Sequence, residues 1–271
     1  MDRTAPEGTR ISPITVIGLV LLLAPLLTIA HELGGHALTC LATGNRPTEL
    51  GAYYVTCEGT DVLTSRIVAM AGTGVDLLVA LVALLVYPHV RRPLLRLAVW
   101  VVMVFKAMTA GGYWLFSGVL GFGDWAPGAD GGMGEMGHPW LWRLALVVVG
   151  LAFYIAVVRG AMRSIDAFVG GGEQAALVRR RTVMILYLTN GAIAIVVGLF
   201  NPVGFFIILV SAIASSFGGT AGLFNVAFRG PTSETTHPVV IERSIPLLVV
   251  GALVTIAFAA VLGPTLTPYG G

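Results

Sequence analysis

The chain is predicted to fold as an all-α, polytopic transmembrane bundle of about seven helices, with a short extracytoplasmic β-hairpin after the first. Three observations predict it. Of the 271 residues, 56% are hydrophobic and only 11% charged, far more apolar than a soluble domain of that length. The apolar residues are gathered in runs long enough to cross about 30 Å of hydrocarbon, which takes roughly 20 residues each. The arginines cluster between alternate runs, as the positive-inside rule asks of cytoplasmic loops. A formal net charge of +2, carried by those clusters and not by one face, gives no argument for a nucleic-acid partner. The lipid bilayer is the partner that composition implies.

The apolar runs fall at 13–42, 66–87, 94–121, 140–158, 182–200, 203–224 and 245–263. The first follows Arg3 and Arg10 as the core of a signal peptide would, but it continues into a histidine motif and reads as a retained signal-anchor helix. Between the first and second runs, the polar stretch Pro47–Ser65 contains the β-formers Tyr53, Tyr54, Val55 and Thr56, which gives the hairpin. Cys40 and Cys57 are too few for a disulfide framework and leave one bridge open. Arg91, Arg92 and Arg96 follow the second run, Arg159, Arg163, Arg179, Arg180 and Arg181 the fourth, and Arg229 and Arg243 flank the loop after the sixth. These loops are therefore expected in the cytoplasm. The segment 122–139 holds Asp124, Asp130 and Glu135 with no lysine or arginine, and the tail after Gly263 is uncharged. Both are expected outside, with the N-terminus cytoplasmic and the C-terminus extracytoplasmic. The sixth run, with Ser211, Ser215, Ser216, Gly218, Gly219 and Gly222, reads as a small-residue packing helix. Residues 1–139 form a membrane core around the motif, and 140–271 supply accessory helices of the same membrane domain.

Chemistry concentrates in His31-Glu32-Leu33-Gly34-Gly35-His36, because two imidazoles and a carboxylate stand where hydrocarbon should be and ionisable groups at such depth are costly and usually functional. Histidines a short helical interval apart, with glutamate after the first, are how metallopeptidases hold zinc and activate water. The interval is one residue longer than H-E-x-x-H. Residues i and i+4 lie about 40° apart around an α-helix, whereas i and i+5 lie about 140° apart. A π-helical turn, with its i→i+5 hydrogen bond, would return both rings to one face, and Gly34 and Gly35 make that distortion cheap. Glu32 and His36, at i and i+4, form an alternative ligand pair. Imidazole and carboxylate at low count suit zinc (Zn2+) first. The 5 histidines are too few for a di-iron site, and His89 and His237 fall on the expected cytoplasmic side.

HELGGHAL in the first helix, MAGTGVDLLVALVALL in the second and a third ending in GFGDWA together resemble the site-2 protease group of integral-membrane zinc metallopeptidases. The resemblance covers roughly the first half of the chain. It implies that His31, His36 and Asp124 are the zinc ligands, that Glu32 is the catalytic base, and that a small-residue segment packs behind the motif. The implied activity is zinc-dependent hydrolysis of a transmembrane or membrane-proximal segment of another protein. The motif carries one glycine more than the family's, and Asp124 stands in Gly-Asp-Trp where the family has NPxPxxDG.

Asp76 and Lys106 are each expected near the middle of a helix, and Lys106 is the only lysine. An ion pair between them reads as a packing device, or else as a proton or ion path, with Asp76 a further candidate at the metal site. Asn190 and Asn201 read as interhelical hydrogen-bonding groups. His138 reads as a loop histidine, and Trp114, Trp125, Trp140 and Trp142 as interfacial anchors. Two readings from other classes stand beside the hydrolase. One is a transporter or channel using Asp76, Lys106 and the glycine-broken helices as its pathway; the other is a metal enzyme acting on a lipid or small molecule. The sequence leaves the oligomeric state open.

Overall fold

The computed structural model describes residues 8–129, 131–202, 204, 208–232 and 238–268, of which 208–210 are described by backbone alone. Arg3, Asp130 and His237 lie outside the described residues, as does part of the sixth apolar run. Six helical stretches are long and apolar enough to cross a membrane: Pro13–Ala42, Val62–His89, Pro93–Leu120, Pro139–Val169, Gly172–Gly198 and Ile245–Leu262.

The chain opens with strand β1 (Arg10–Ile11) and helix α1 (Pro13–His31), which passes into a π-helical turn over Glu32–Ala37 and ends as α2 (Leu38–Ala42). The turn that the motif's spacing requires is therefore present. Strands β2 (Arg46–Leu50) and β3 (Val55–Glu58) pair antiparallel with a bulge between Pro47 and Glu49. Leu50 also exchanges two backbone hydrogen bonds with Leu266 of the C-terminal tail, at 2.8 and 2.9 Å. The Leu50 end of β2 is thus bonded on both sides. A disulfide joins Cys40, in α2, to Cys57, in β3, with Cα atoms 5.9 Å apart, so the hairpin is anchored to the end of the motif helix.

Helix α3 (Val62–Val86) begins at Asp61, whose carboxylate accepts the Thr64 N–H at 2.7 Å. That bond holds the Asp61 carboxyl below its ordinary range. Helix α4 (Pro93–Leu120) is the most buried of the spans and carries Trp100, Val101, Val104 and Met108 into the core. Helices α5 (Pro139–Val169) and α6 (Gly172–Gly198) are longer than the apolar runs that predicted them. Arg159, Arg163 and Arg179–Arg181 interrupt the hydropathy but not the helices, and the connection is a tight turn at Gly170 and Gly171. Arg179 is buried there and donates to Asp166 Oδ1 at 2.5 Å, while Arg229 pairs with Asp166 Oδ2 at 3.2 Å.

The sixth run is not one continuous helix. Its described part is a π-helical segment, Ile208–Gly218, followed by turns and then a short helix α7 (Leu223–Phe228). Hydroxyls of Ser215, Ser216 and Thr220 donate back to the carbonyls of Ser211, Ala212 and Ser216, which competes with the helical ladder. Strand β4 (Val240–Ile241) then pairs parallel with β1, and helix α8 (Ile245–Leu262) packs along α1, where Gly18 and Gly251 let the two backbones touch. The described N-terminal residues therefore lie with β4 at one end of the bundle. The hairpin and the C-terminal tail lie at the other.

Candidate metal centre

The π-helical turn projects His31 and His36 from one face, with their Nε2 atoms 3.2 Å apart. Behind each ring a fixed acceptor holds Nδ1: Asp76 Oδ2 at 2.9 Å for His31, and the Val68 carbonyl at 2.8 Å for His36. When each Nδ1–H donates to its partner, both Nε2 atoms carry lone pairs and face each other, an arrangement that repels unless a cation lies between them. Asp124 closes the group. Its Oδ2 lies 3.8 Å from His31 Nε2 and 3.5 Å from His36 Nε2, buried and without a hydrogen-bond donor. One ligand atom from each of His31, His36 and Asp124 falls within 4.8 Å of the others. Donor types, burial and the orphaned carboxylate oxygen fit a metal ion.

Three local features make this convergence. Gly35 and Gly72 let α1 and α3 approach until their backbones touch, for a Cβ on Gly35 would lie 2.6 Å from the Gly72 Cα. The rings then rest on Gly72, where a Cβ would lie 2.6 Å from His31 Nε2 and closer still to His36 Nε2. The third feature is the loop that brings Asp124 in. Gly121 ends α4 in the left-handed region, at φ 79, and turns the chain back over the site. Trp125 donates its indole N–H to Thr73 Oγ1 at 3.0 Å, and Trp142 donates to the Trp125 carbonyl at 2.8 Å. Arg66 donates to the carbonyls of Met133 and Glu135, both at 2.8 Å. Trp125 and Trp142, stacked at 6.2 Å, thus pin the Asp124 loop and are not simply interfacial anchors. Trp140 is 63% exposed.

Burial alone would raise the Asp124 carboxyl, but positive charge on His36 and polar contact with both rings outweigh it and hold it well below the ordinary range. A carboxylate ionised at neutral pH attracts either protons or a metal to the ring nitrogens, so a metal bound here would release protons. Glu32, Asp76 and Asp124 bring three formal negative charges to the buried centre and Lys106 one positive. Two formal negative charges remain, which a divalent cation or protonation of both imidazoles can neutralise.

Glu32 is buried beside the ligand group, with Oε2 unpaired. It faces a cavity of about 450 Å³ lined also by His36, Tyr113 and Asp124, by Val55 and Cys57 of β3, and by Ser211, Ser215 and Gly219. Thr60, Ser65 and Phe122 line its hairpin end. A smaller cavity of about 70 Å³ lies against the other side of Glu32 and Tyr113, bordered by His31, Lys106 and Asn190. Tyr113 stacks on His31 with ring centroids 5.1 Å apart.

No protein-family model, curated protein or solved structure matches the chain.

The four motif-derived residues are brought together: His31, His36 and Asp124 as the ligand group, and Glu32 beside them. The alternative pair of Glu32 and His36 is disfavoured, because it is His31 whose Nε2 faces His36. His138 is the exposed N-cap of α5, outside the ligand group, and His89 bonds the Leu85 carbonyl at 3.0 Å. Asp76 and Lys106 pair at 2.5 Å, as their depth predicted. Sequence reasoning missed that the second Asp76 oxygen holds His31. The signal was available in the position of Asp76, four residues and about one helical turn beyond Gly72.

Proposed function

We propose that this protein is a membrane-embedded, zinc-dependent hydrolase, a peptidase resembling the site-2 proteases that cuts transmembrane or membrane-proximal segments of other proteins. The observation that carries the reading is the convergence of two facing imidazole Nε2 atoms and a donorless buried carboxylate oxygen, beside an unpaired glutamate oxygen and a cavity. His31, His36 and Asp124 would hold the metal, which supplies Lewis acidity to acidify water and polarise a carbonyl. Glu32 accepts the proton of the attacking water and returns it to the leaving amine. The hairpin favours a peptide over a lipid. Its edge strand β3 fronts the cavity while the Leu50 end of β2 is already bonded to the tail, so an extended substrate segment can add to β3 through main-chain hydrogen bonds. A helical substrate must unwind there, because a helix shields its own carbonyls.

The orientation we infer is N-terminus cytoplasmic and C-terminus extracytoplasmic. The Cys40–Cys57 bridge at the hairpin end fits an oxidising compartment, and Arg91, Arg92, Arg180, Arg181 and Arg243 gather at the opposite end. The exceptions at the hairpin end are Arg46, at the start of β2, and Arg66 and Arg143, which bond backbone carbonyls. Metal analysis of protein purified without chelators is the first test: one zinc per chain is expected, and none in His36→Ala. Glu32→Gln should keep the zinc and lose hydrolysis, since the amide preserves size but cannot take the proton. Wild-type protein without a transition metal, or an active Glu32→Gln protein, overturns the reading.

A further inference from the structure

Asp76 and Lys106 are buried in mid-bundle, on α3 and α4. A pair serving only to neutralise itself needs one carboxylate oxygen. Here both are used: Oδ1 accepts from Lys106 Nζ at 2.5 Å and Oδ2 accepts from His31 Nδ1 at 2.9 Å. One side chain therefore ties α1, α3 and α4 together directly behind a ligand. We propose that Asp76 and Lys106 are positioning residues for His31, a role that rests on the metal reading above. By accepting the Nδ1–H, Asp76 fixes the tautomer that leaves the Nε2 lone pair facing the site, and it fixes the ring's angle against Gly72. Lys106 donates to the other carboxylate oxygen and so fixes the angle at which Asp76 stands behind the ring.

The two histidines are consequently unequal. His31 is backed by a carboxylate, whereas His36 is backed by the neutral Val68 carbonyl. A carboxylate raises the donor strength of the imidazole it orients, so His31 is the stronger ligand and the one that depends on distant side chains. The sole lysine in the chain stands deep in hydrocarbon because it serves this carboxylate.

A structural role and a positioning role part company in double variants. Asp76→Asn/Lys106→Met removes both charges at nearly constant volume and keeps an amide oxygen for His31. Asp76→Leu/Lys106→Met removes the acceptor as well. Zinc affinity is measured by chelator competition on the purified full-length protein, and the cobalt(II) absorption spectrum reports ligand geometry. The expected result is folded protein with zinc binding weakened about 10–100-fold, the range found for lost outer-shell partners. The loss should be greater in the leucine variant, with a shifted cobalt spectrum in both. If the pair only packs helices, the folded double variants bind zinc as the wild type does, and that result overturns the proposal. The asparagine variant, being nearly isosteric, decides the matter even if the leucine variant fails to fold. Wild-type protein that binds neither zinc nor cobalt overturns the metal reading itself, a failure distinct from wild-type affinity in the double variants.

Discussion

Gly72→Ala is the smallest change expected to weaken metal binding at the proposed site. The new Cβ would sit 2.6 Å from His31 Nε2 and closer to His36 Nε2. Nonbonded heavy atoms prefer about 3.5 Å or more, so the overlap is roughly 1 Å on the two ligand atoms at once. Neither ring can withdraw freely, because His31 is held by Asp76 and His36 by the Val68 carbonyl. A displacement of about 1 Å at a preorganised site costs on the order of 100-fold, about 2.8 kcal/mol at 1.4 kcal/mol per tenfold. Two residues along the same helix, a Cβ on Gly74 meets nothing within 4 Å. Gly74→Ala should therefore bind zinc normally and gain up to about 1 kcal/mol in helix propensity. Chelator competition on both variants in detergent, with thermal unfolding as the check on folding, makes the comparison. Folded Gly72→Ala protein with wild-type zinc affinity would refute the claim that the ligand nitrogens meet over Gly72.

The two motif glycines should separate in the same way. A Cβ on Gly35 meets the Gly72 backbone at 2.6 Å whereas one on Gly34 meets nothing within 4 Å, so Gly35→Ala should lose about 1–3 kcal/mol by overpacking. Gly34→Ala should unfold like the wild type, and equal melting temperatures would contradict the α1–α3 contact. A reporter fused after Gly271 should appear on the extracytoplasmic side, and one fused before Met1 in the cytoplasm; the reverse pattern would overturn the orientation.

The long spans were legible in the sequence because hydrocarbon imposes composition and length together. The π-helical turn was legible as well, because a five-residue spacing between histidines can share one face only if the helix is underwound. Helix ends past the membrane were not. Arg159 and Arg179–Arg181 lower local hydropathy, yet a helix needs only its own hydrogen bonds to continue into water, and the buried Asp166–Arg179 bond at 2.5 Å holds the α5–α6 turn. The broken sixth segment escaped for the opposite reason. Its serines and glycines suit close packing in lipid, but the same hydroxyls that favour packing also compete for the ladder, and composition does not say which tendency prevails. At the centre, the ligand types were readable but the support was not. Asp76 was singled out by its depth and Lys106 by its rarity, and pairing them satisfied the charge argument while leaving one carboxylate oxygen unaccounted for. A carboxylate has acceptor capacity for more than one donor, and a buried oxygen left idle is costly. That accounting, applied to Asp76 and to the second helix passing His31, points to the His31 bond from sequence-level reasoning once the helices are taken to pack together.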